Sequence, residues 1–287
     1  MRRIALGLLL ALLLLGEAEA QSQQPQADWI ADKNGCRLWD PYPQPDESIS
    51  WSGACKDGYA NGNGVAQWFE GDQPSDRYEG AYANGHSNGY GVYSWANGER
   101  YEGEFKAGVI SGRGARTKTN GERYEGEFRD GIENGRGTYV FANGDRYEGD
   151  FRAGRQNGHG VSLSAAGLSY DGEWQDGRPQ GRGTLSWPNG DRYEGGFKAG
   201  KRDGHGVFTW KAGGSYDGEW KDDARNGHGV LSWAGGSYDG EWKDDRPDGQ
   251  GTRKDSDGGV FAGNWVRGCF KQGDRRAALD VALSSCP

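Results

Sequence analysis

Short stretches in which apolar and polar positions alternate recur along most of this chain. In Arg192-Tyr193-Glu194-Gly195-Gly196-Phe197-Lys198, Tyr193, Gly195 and Phe197 fall on one side, while Arg192, Glu194, Gly196 and Lys198 fall on the other. That period of two is the mark of a strand. The following stretch, Gly204-His205-Gly206-Val207-Phe208-Thr209-Trp210, puts Gly204, Gly206, Phe208 and Trp210 on one side and His205, Val207 and Thr209 on the other. Both strands therefore carry a face made only of glycine and aromatic residues, and the two faces must coincide. Asn97-Gly98, Asn120-Gly121, Asn143-Gly144 and Asn189-Gly190 follow the second strand of their units and accept the positive φ that closes a hairpin. The other connection, Ala199-Gly200-Lys201-Arg202-Asp203-Gly204, reads as a longer polar loop.

The pattern is periodic. Tyr78, Tyr101, Tyr124, Tyr147, Tyr170, Tyr193 and Tyr216 stand 23 residues apart, and Tyr238 follows after 22. Such a period marks supersecondary units that cannot bury their apolar faces alone and must stack. The expected fold is all-β: an elongated antiparallel meander or solenoid of stacked hairpins, two strands per unit, extending ~85 Å before twist. A worn copy of the unit, Trp51-Ser52-Gly53-Ala54-Cys55, opens the array, and Phe261-Ala262-Gly263-Asn264-Trp265 is a closing half copy. The tail departs from this pattern. Asp274 can cap a helix in which Ala278, Leu279, Ala282 and Leu283 recur at three- and four-residue spacing. A short C-terminal helix over the last strand edge is the expectation.

Composition sharpens this picture. Only 33% of the 287 residues are apolar and only one is Met, yet there are 12 Trp, 14 Tyr, 9 Phe and 53 Gly. A thin body in which rings lie on bare backbone fits these proportions, whereas disordered chains are poor in aromatics. Residues 1–20 read as a signal peptide, with Arg2 and Arg3, an apolar run from Ile4 to Leu15, and Ala18-Glu19-Ala20 before a mature start near Gln21. The run is short of the ~20 residues that a membrane span needs. Residues 21–50 form a Gln- and Pro-rich leader and N-terminal cap, 51–267 the array, and 268–287 a C-terminal cap. Export to the periplasm or the extracellular space is expected. Cys36, Cys55, Cys269 and Cys286 then suggest two disulfides. Three connectivities exist; the economical one pairs Cys36 with Cys55 and Cys269 with Cys286, because a long array separates its ends far beyond disulfide reach. Zinc is disfavoured, since there is no CxxC spacing and no histidine near either pair. A net charge of −8 disfavours nucleic acid and gives no support to an anionic membrane surface.

The phrase Tyr-Glu-Gly-Glu-Phe/Trp-Lys, with the later Asn-Gly-His-Gly-Val and Trp-Pro-Asn-Gly-Asp-Arg, closely resembles the MORN repeat (membrane occupation and recognition nexus) over residues 51–265. Tyr-Asp-Gly at 170, 216 and 238, Gly196 and Cys55 depart from its pattern without threatening the fold. The resemblance implies an elongated hairpin stack acting in protein–protein contact, scaffolding or membrane-proximal organisation, with no catalysis by the repeats. Family enzymes carry a separate catalytic domain, and no stretch here is left over for one.

Candidate chemistry is sparse. Acid pairs such as Glu102 with Glu104 and Asp217 with Glu219 alternate with Arg and Lys on one face, as a solvated charge lattice does. Asp255-Ser256-Asp257-Gly258-Gly259 lacks the closing bidentate acid of a calcium loop. His159, His205 and His228 share one phase but stand two strands apart, too far for a common metal, and His86 is placed in a loop. There is neither a nucleophile elbow nor a phosphate loop. No catalytic residue, metal or cofactor is expected. The open question is the ring-lined face: Tyr93, Trp95, Tyr101, Phe105, Tyr124, Phe128, Tyr147, Phe151, Tyr193, Phe197, Trp210, Tyr216, Trp220 and Trp233 are either core or the wall of a groove. The leading expectation is a non-enzymatic exported scaffold that binds an unidentified protein, as a monomer or joined end to end. A module that stacks cell-wall glycan on the groove is the alternative.

Overall fold

The computed structural model describes residues 28–286, so the expected signal peptide at 1–20 and the mature start near Gln21 lie outside the described residues. The described chain forms an open sheet of 24 strands. From Tyr59–Glu70 onward each strand pairs antiparallel with the next, through Arg100–Lys106 and Val109–Thr117 to Cys269–Gln272 and Arg275–Ala278. The N-terminal strands fold back on this meander. Glu47–Trp51 and Ala54–Lys56 both pair with Tyr59–Glu70, and Asp28–Ala31 pairs with Arg37–Asp40.

The two kinds of connection have the opposite lengths to those expected. Arg192–Lys198 and Lys201–Thr209 are joined by Ala199-Gly200 alone, both at positive φ (50° and 88°), so Lys201 to Gly204 belongs to the strand. Two successive positive φ values match the right-handed twist of the flanking strands, and this selects the tight turn. The Asn-Gly connections instead span five residues, as in Trp95–Glu99, where only Gly98 has positive φ and the Asn97 Oδ1 accepts the Glu99 N–H at 2.9 Å. The asparagine side chain there imitates a turn of backbone. His86, placed in a loop by its phase, begins the strand His86–Ser94.

Tyrosine and glycine make the core. Gly126 lies opposite Gly137, and the Tyr124 ring rests over both, its hydroxyl donating to the Glu127 carbonyl at 2.9 Å. A Cβ on Gly126 would stand 2.5 Å from the Gly137 Cα and 2.6 Å from the Tyr124 hydroxyl, so glycine is required on both strands. Each tyrosine then sits edge-to-face between two second aromatics, its own and the next unit's: Tyr124 is 5.0 Å from Phe128 and 4.9 Å from Phe151. The column runs from Tyr78–Phe105 to Tyr238–Trp265. Where the second aromatic is Trp, its indole N–H finds a carbonyl, as with Trp220 on Gly206 at 3.1 Å and Trp242 on Gly229 at 3.0 Å.

The tail corrects the helix expectation. Arg275–Ala278 is a strand on Cys269–Gln272, and the sole helical element among the described residues is the 3₁₀ turn Leu283–Ser285. Gly273 at φ 60° turns the chain, and Phe270 and Ala277 are buried at the end of the column. A strand there pairs backbone groups that a helix would leave open, and an isolated helix of this length is marginal in water. Cys36 is bonded to Cys55 and Cys269 to Cys286, with Cα separations of 5.7 and 5.5 Å.

Candidate functional site

Ten of the fourteen groove candidates lie in the column and are buried: Tyr101, Phe105, Tyr124, Phe128, Tyr147, Phe151, Tyr193, Phe197, Tyr216 and Trp220. Burial pushes the Tyr193 hydroxyl up to about 12, which keeps it a proton donor to the backbone. The other four, Tyr93, Trp95, Trp210 and Trp233, stand beside the column and are only half-buried.

These four belong to a second row, supplied by the ends of the second strands. Its rungs are Tyr93 with Trp95, Tyr139 with Phe141, Leu185 with Trp187, Phe208 with Trp210, and Leu231 with Trp233. Where a rung holds two rings they are 4.5 to 4.9 Å apart, and Trp187 reaches the next rung at Phe208, 5.2 Å away. The row is interrupted in two ways. Arg116 and Lys118 replace one rung, and their cations lie over Trp95 at 5.1 Å and Tyr139 at 5.7 Å. Ser162 and Ser164 replace another and leave a notch of ≈ 260 Å³ walled by Phe141, Tyr147, Tyr170, Trp174 and Leu185. Exposed Leu163 and Leu168 flank it.

The loops beside the row are stapled by acids that stand two residues before five of the eight repeat tyrosines, Tyr78, Tyr101, Tyr124, Tyr147 and Tyr193. Asp145 Oδ1 accepts the Ala165 N–H at 2.8 Å, and Asp191 Oδ1 accepts the Lys211 N–H at 2.9 Å. Glu122 takes the Tyr139 hydroxyl at 2.6 Å and pairs with Lys118 at 2.8 Å, which holds the Glu122 carboxyl below its usual range. Sequence reasoning missed these acids. Their recurrence as Asp76-Arg77-Tyr78, Glu99-Arg100-Tyr101 and Glu122-Arg123-Tyr124 is the signal that could have found them.

At the N-terminal end the row opens into a larger cavity, ≈ 610 Å³, between the row and the N-terminal strands. Its walls include Trp39, Tyr42, Trp68, Tyr93 and Trp95, with Asp40, Glu47, Asp76 and Arg116 among them. Trp68 Nε1 donates to Asp40 at 3.0 Å and the Tyr93 hydroxyl donates to Asp76 at 2.6 Å.

The opposite face carries charge. Arg123 meets Glu125 and Arg100 meets Glu102, each at 2.7 Å, and both pairs are well exposed, so each adds little stability. His159, His205 and His228 lie 3.3, 3.1 and 3.0 Å from Asp171, Asp217 and Asp239. Among the described residues no group of three His, Cys, Asp or Glu side chains is close enough to hold a metal. Asp255 meets Arg253 at 2.6 Å and Asp257 caps its own turn, accepting the Gly259 N–H at 3.1 Å. The charge lattice, the histidines and the Asp255–Gly259 stretch are accounted for by neighbours within the sheet.

The model of the MORN repeat matches residues 78–100, 101–123, 124–146, 147–169, 170–192, 193–215, 216–237 and 238–260, well over half of the chain. This chain belongs to the MORN repeat family. MORN arrays are generally non-enzymatic scaffolds for protein interaction. No curated protein matches this MORN chain. Among solved structures it is similar to the SAS-4 TCP domain of Drosophila melanogaster in complex with a proline-rich motif of Ana2, at 14% identity over 54% of this chain and 85% of that one, TM-score 0.35. It is also similar to the TCP10 domain of Danio rerio CPAP in complex with a STIL peptide, at 13% identity over 76% and 99%, TM-score 0.32. Its two disulfides suggest an oxidising, non-cytoplasmic compartment. No helix among the described residues is long and apolar enough to cross a membrane.

Proposed function

We propose that this MORN array is an exported, non-enzymatic scaffold that binds an extended segment of a partner protein along its second aromatic row, in the cell envelope or outside the cell. The observation that carries this reading is the split within one face: the column is sealed, whereas Trp95, Trp187, Trp210 and Trp233 are half-open, and the notch at Ser162 and Ser164 lies in the same row. Exposed contiguous aromatic surface marks an interaction site when it is not needed for the fold. The spacing favours an extended chain. Rungs recur every two strands, about 9.6 Å, and a polyproline II segment laid across the strands advances about 9.3 Å per three residues. Every third side chain of such a segment can enter the row.

Glycan binding, the second reading, draws on the same rings. Two measurements separate them. The first captures partners from an envelope extract with wild-type protein and with a Trp210→Ala, Trp233→Ala double variant checked for folding by far-ultraviolet circular dichroism. Protein capture lost in the double variant is the expected result; capture that survives it sinks the reading. The second titrates cell-wall fragments while following tryptophan fluorescence. A saturable quench that disappears in the double variant would favour the glycan.

A further inference from the structure

The loop acids of this array differ in one respect. Glu99 pairs with Arg116 at 3.1 Å and Glu122 with Lys118 at 2.8 Å, whereas Asp145 and Asp191 accept only backbone and asparagine N–H groups. Asp76 holds the corresponding place in its own unit. It receives the Tyr93 hydroxyl at 2.6 Å and the Ala96 N–H at 2.7 Å, but among the described residues no Lys, Arg or His lies within ion-pair distance of it. The same holds for Asp40 and Glu47, which face Asp76 across the N-terminal cavity. Asp40 is buried, and its oxygens take neutral donors only, the Trp68 indole and the Tyr42 N–H. The one cation lining the cavity, Arg116, is engaged by Glu99 and the Trp95 ring. Three carboxylates thus converge without a counter-charge inside a cavity walled by Trp39, Trp68, Tyr93 and Trp95.

Aromatic rings and carboxylates together form a site for an organic cation, the rings through their quadrupoles and the acids through direct pairing. We infer that this cavity receives the guanidinium or ammonium group of a basic side chain on the partner segment, which supplies in trans the cation that Lys118 and Arg116 supply in cis elsewhere in the row. The inference rests on the reading above, that the row binds a protein segment; it adds where that segment is anchored and by which residue type. The volume, ≈ 610 Å³, accommodates a whole arginine side chain with part of its backbone.

The charges predict a pH dependence. Glu47 is raised to about 7, first by desolvation and then by Asp40 and Asp76 beside it. Glu70, at the end of Tyr59–Glu70, Asp130, in the turn after Arg123–Arg129, and Arg116, on Val109–Thr117, also line the cavity. A bound cation favours the ionised form of Glu47 and displaces its proton, so affinity should be higher at pH 8 than at pH 6.

The test uses the mature full-length chain and follows the indole N–H resonances of its tryptophans during titration with a short proline-spaced peptide carrying one arginine. The same peptide with citrulline, the neutral isostere, is the comparison. Expected are shifts of Trp39, Trp68 and Trp95 with the arginine peptide, and weakening by about tenfold with citrulline or in Glu47→Gln, as befits the loss of one partly screened charge. Glu47→Gln removes a strained charge without changing shape, so it should fold at least as well as the parent. Equal binding of both peptides at Trp187, Trp210 and Trp233, with Trp68 unmoved, would overturn the cation site and leave the row reading intact. Indoles unmoved by either peptide would overturn both. Tetramethylammonium that binds as tightly as the arginine peptide would assign the cavity to a free quaternary amine instead of a partner side chain.

Discussion

Tyr124 and Trp210 lie on the same face of one sheet and meet different fates. Tyr124 is 2% exposed, pressed onto Gly126 and Gly137 and closed on either side by Phe128 and Phe151. Trp210 touches Phe208 at 4.9 Å but has no glycine pair beneath it and remains half-buried. The difference is one of position in the strand. Rings at the middle of a strand pair lie over backbone that both strands have stripped bare, whereas rings at its end meet a five-residue loop. The middle of the unit is therefore committed to cohesion, and the end is free to take a partner.

Filling a glycine of the column should do the greatest damage to the sealed face. Gly137→Val places a branched side chain against the Tyr124 ring and hydroxyl, and should cost more than about 3 kcal/mol, as overpacking at a rigid contact does. A urea midpoint near that of wild type would show that the column is less essential than its packing implies. Trp210→Ala should cost less, about 1 to 2 kcal/mol, because only part of its surface leaves water. Its main effect should be on partner capture, read against an unchanged far-ultraviolet spectrum.

Filling the notch sharpens the contrast from the other side. Ser162→Leu with Ser164→Trp rebuilds the rung that Leu185 and Trp187 form in the next unit. A gain of about 1 kcal/mol or less is expected, offset in part by the lost Ser164 hydroxyl bond to the Leu168 N–H. If thermal stability rises while partner binding falls, the notch is a recognition feature; if binding is untouched, the row binds elsewhere.

The smallest effect concerns Glu47 at the N-terminal end of the row. Its folded-state value of about 7 lies above the ordinary carboxylate range, so the folded form holds this proton more tightly than the unfolded chain does. The stabilising contribution is complete below pH 4.5 and is lost as pH rises through about 7. Urea midpoints at pH 5 and pH 8 should fall for the parent and fall less for Glu47→Gln. Equal slopes would place the titration on other groups.

Much of the column was legible because its rules are local. Alternation placed Tyr193, Gly195 and Phe197 together, and the 23-residue period stacked them. The paired cysteines also followed from position along an elongated body. Other features depended on partners distant in the chain. The helical spacing of Ala278, Leu279 and Ala282 was real, but a free strand edge at Cys269–Gln272 outweighed it. From sequence alone Ala199-Gly200 reads as the start of a loop, because the pairing of Lys201 with Lys198 is visible only in the sheet. In the sequence Asp76 is one acid among 42 Asp and Glu; its distinction comes from the hydrogen bond it accepts from Tyr93, 17 residues later.

The repeat, the all-β class, the glycine–tyrosine pairing and the MORN family follow from the residues alone, since these depend on residues within one or two strands of each other. Tertiary structure alone decided which rings are sealed, which are half-open, and that Asp40, Glu47 and Asp76 converge on one cavity. The last of these depends on how the N-terminal strands fold back over the first units. That packing sets burial and local charge, neither of which is written in the spacing of the residues.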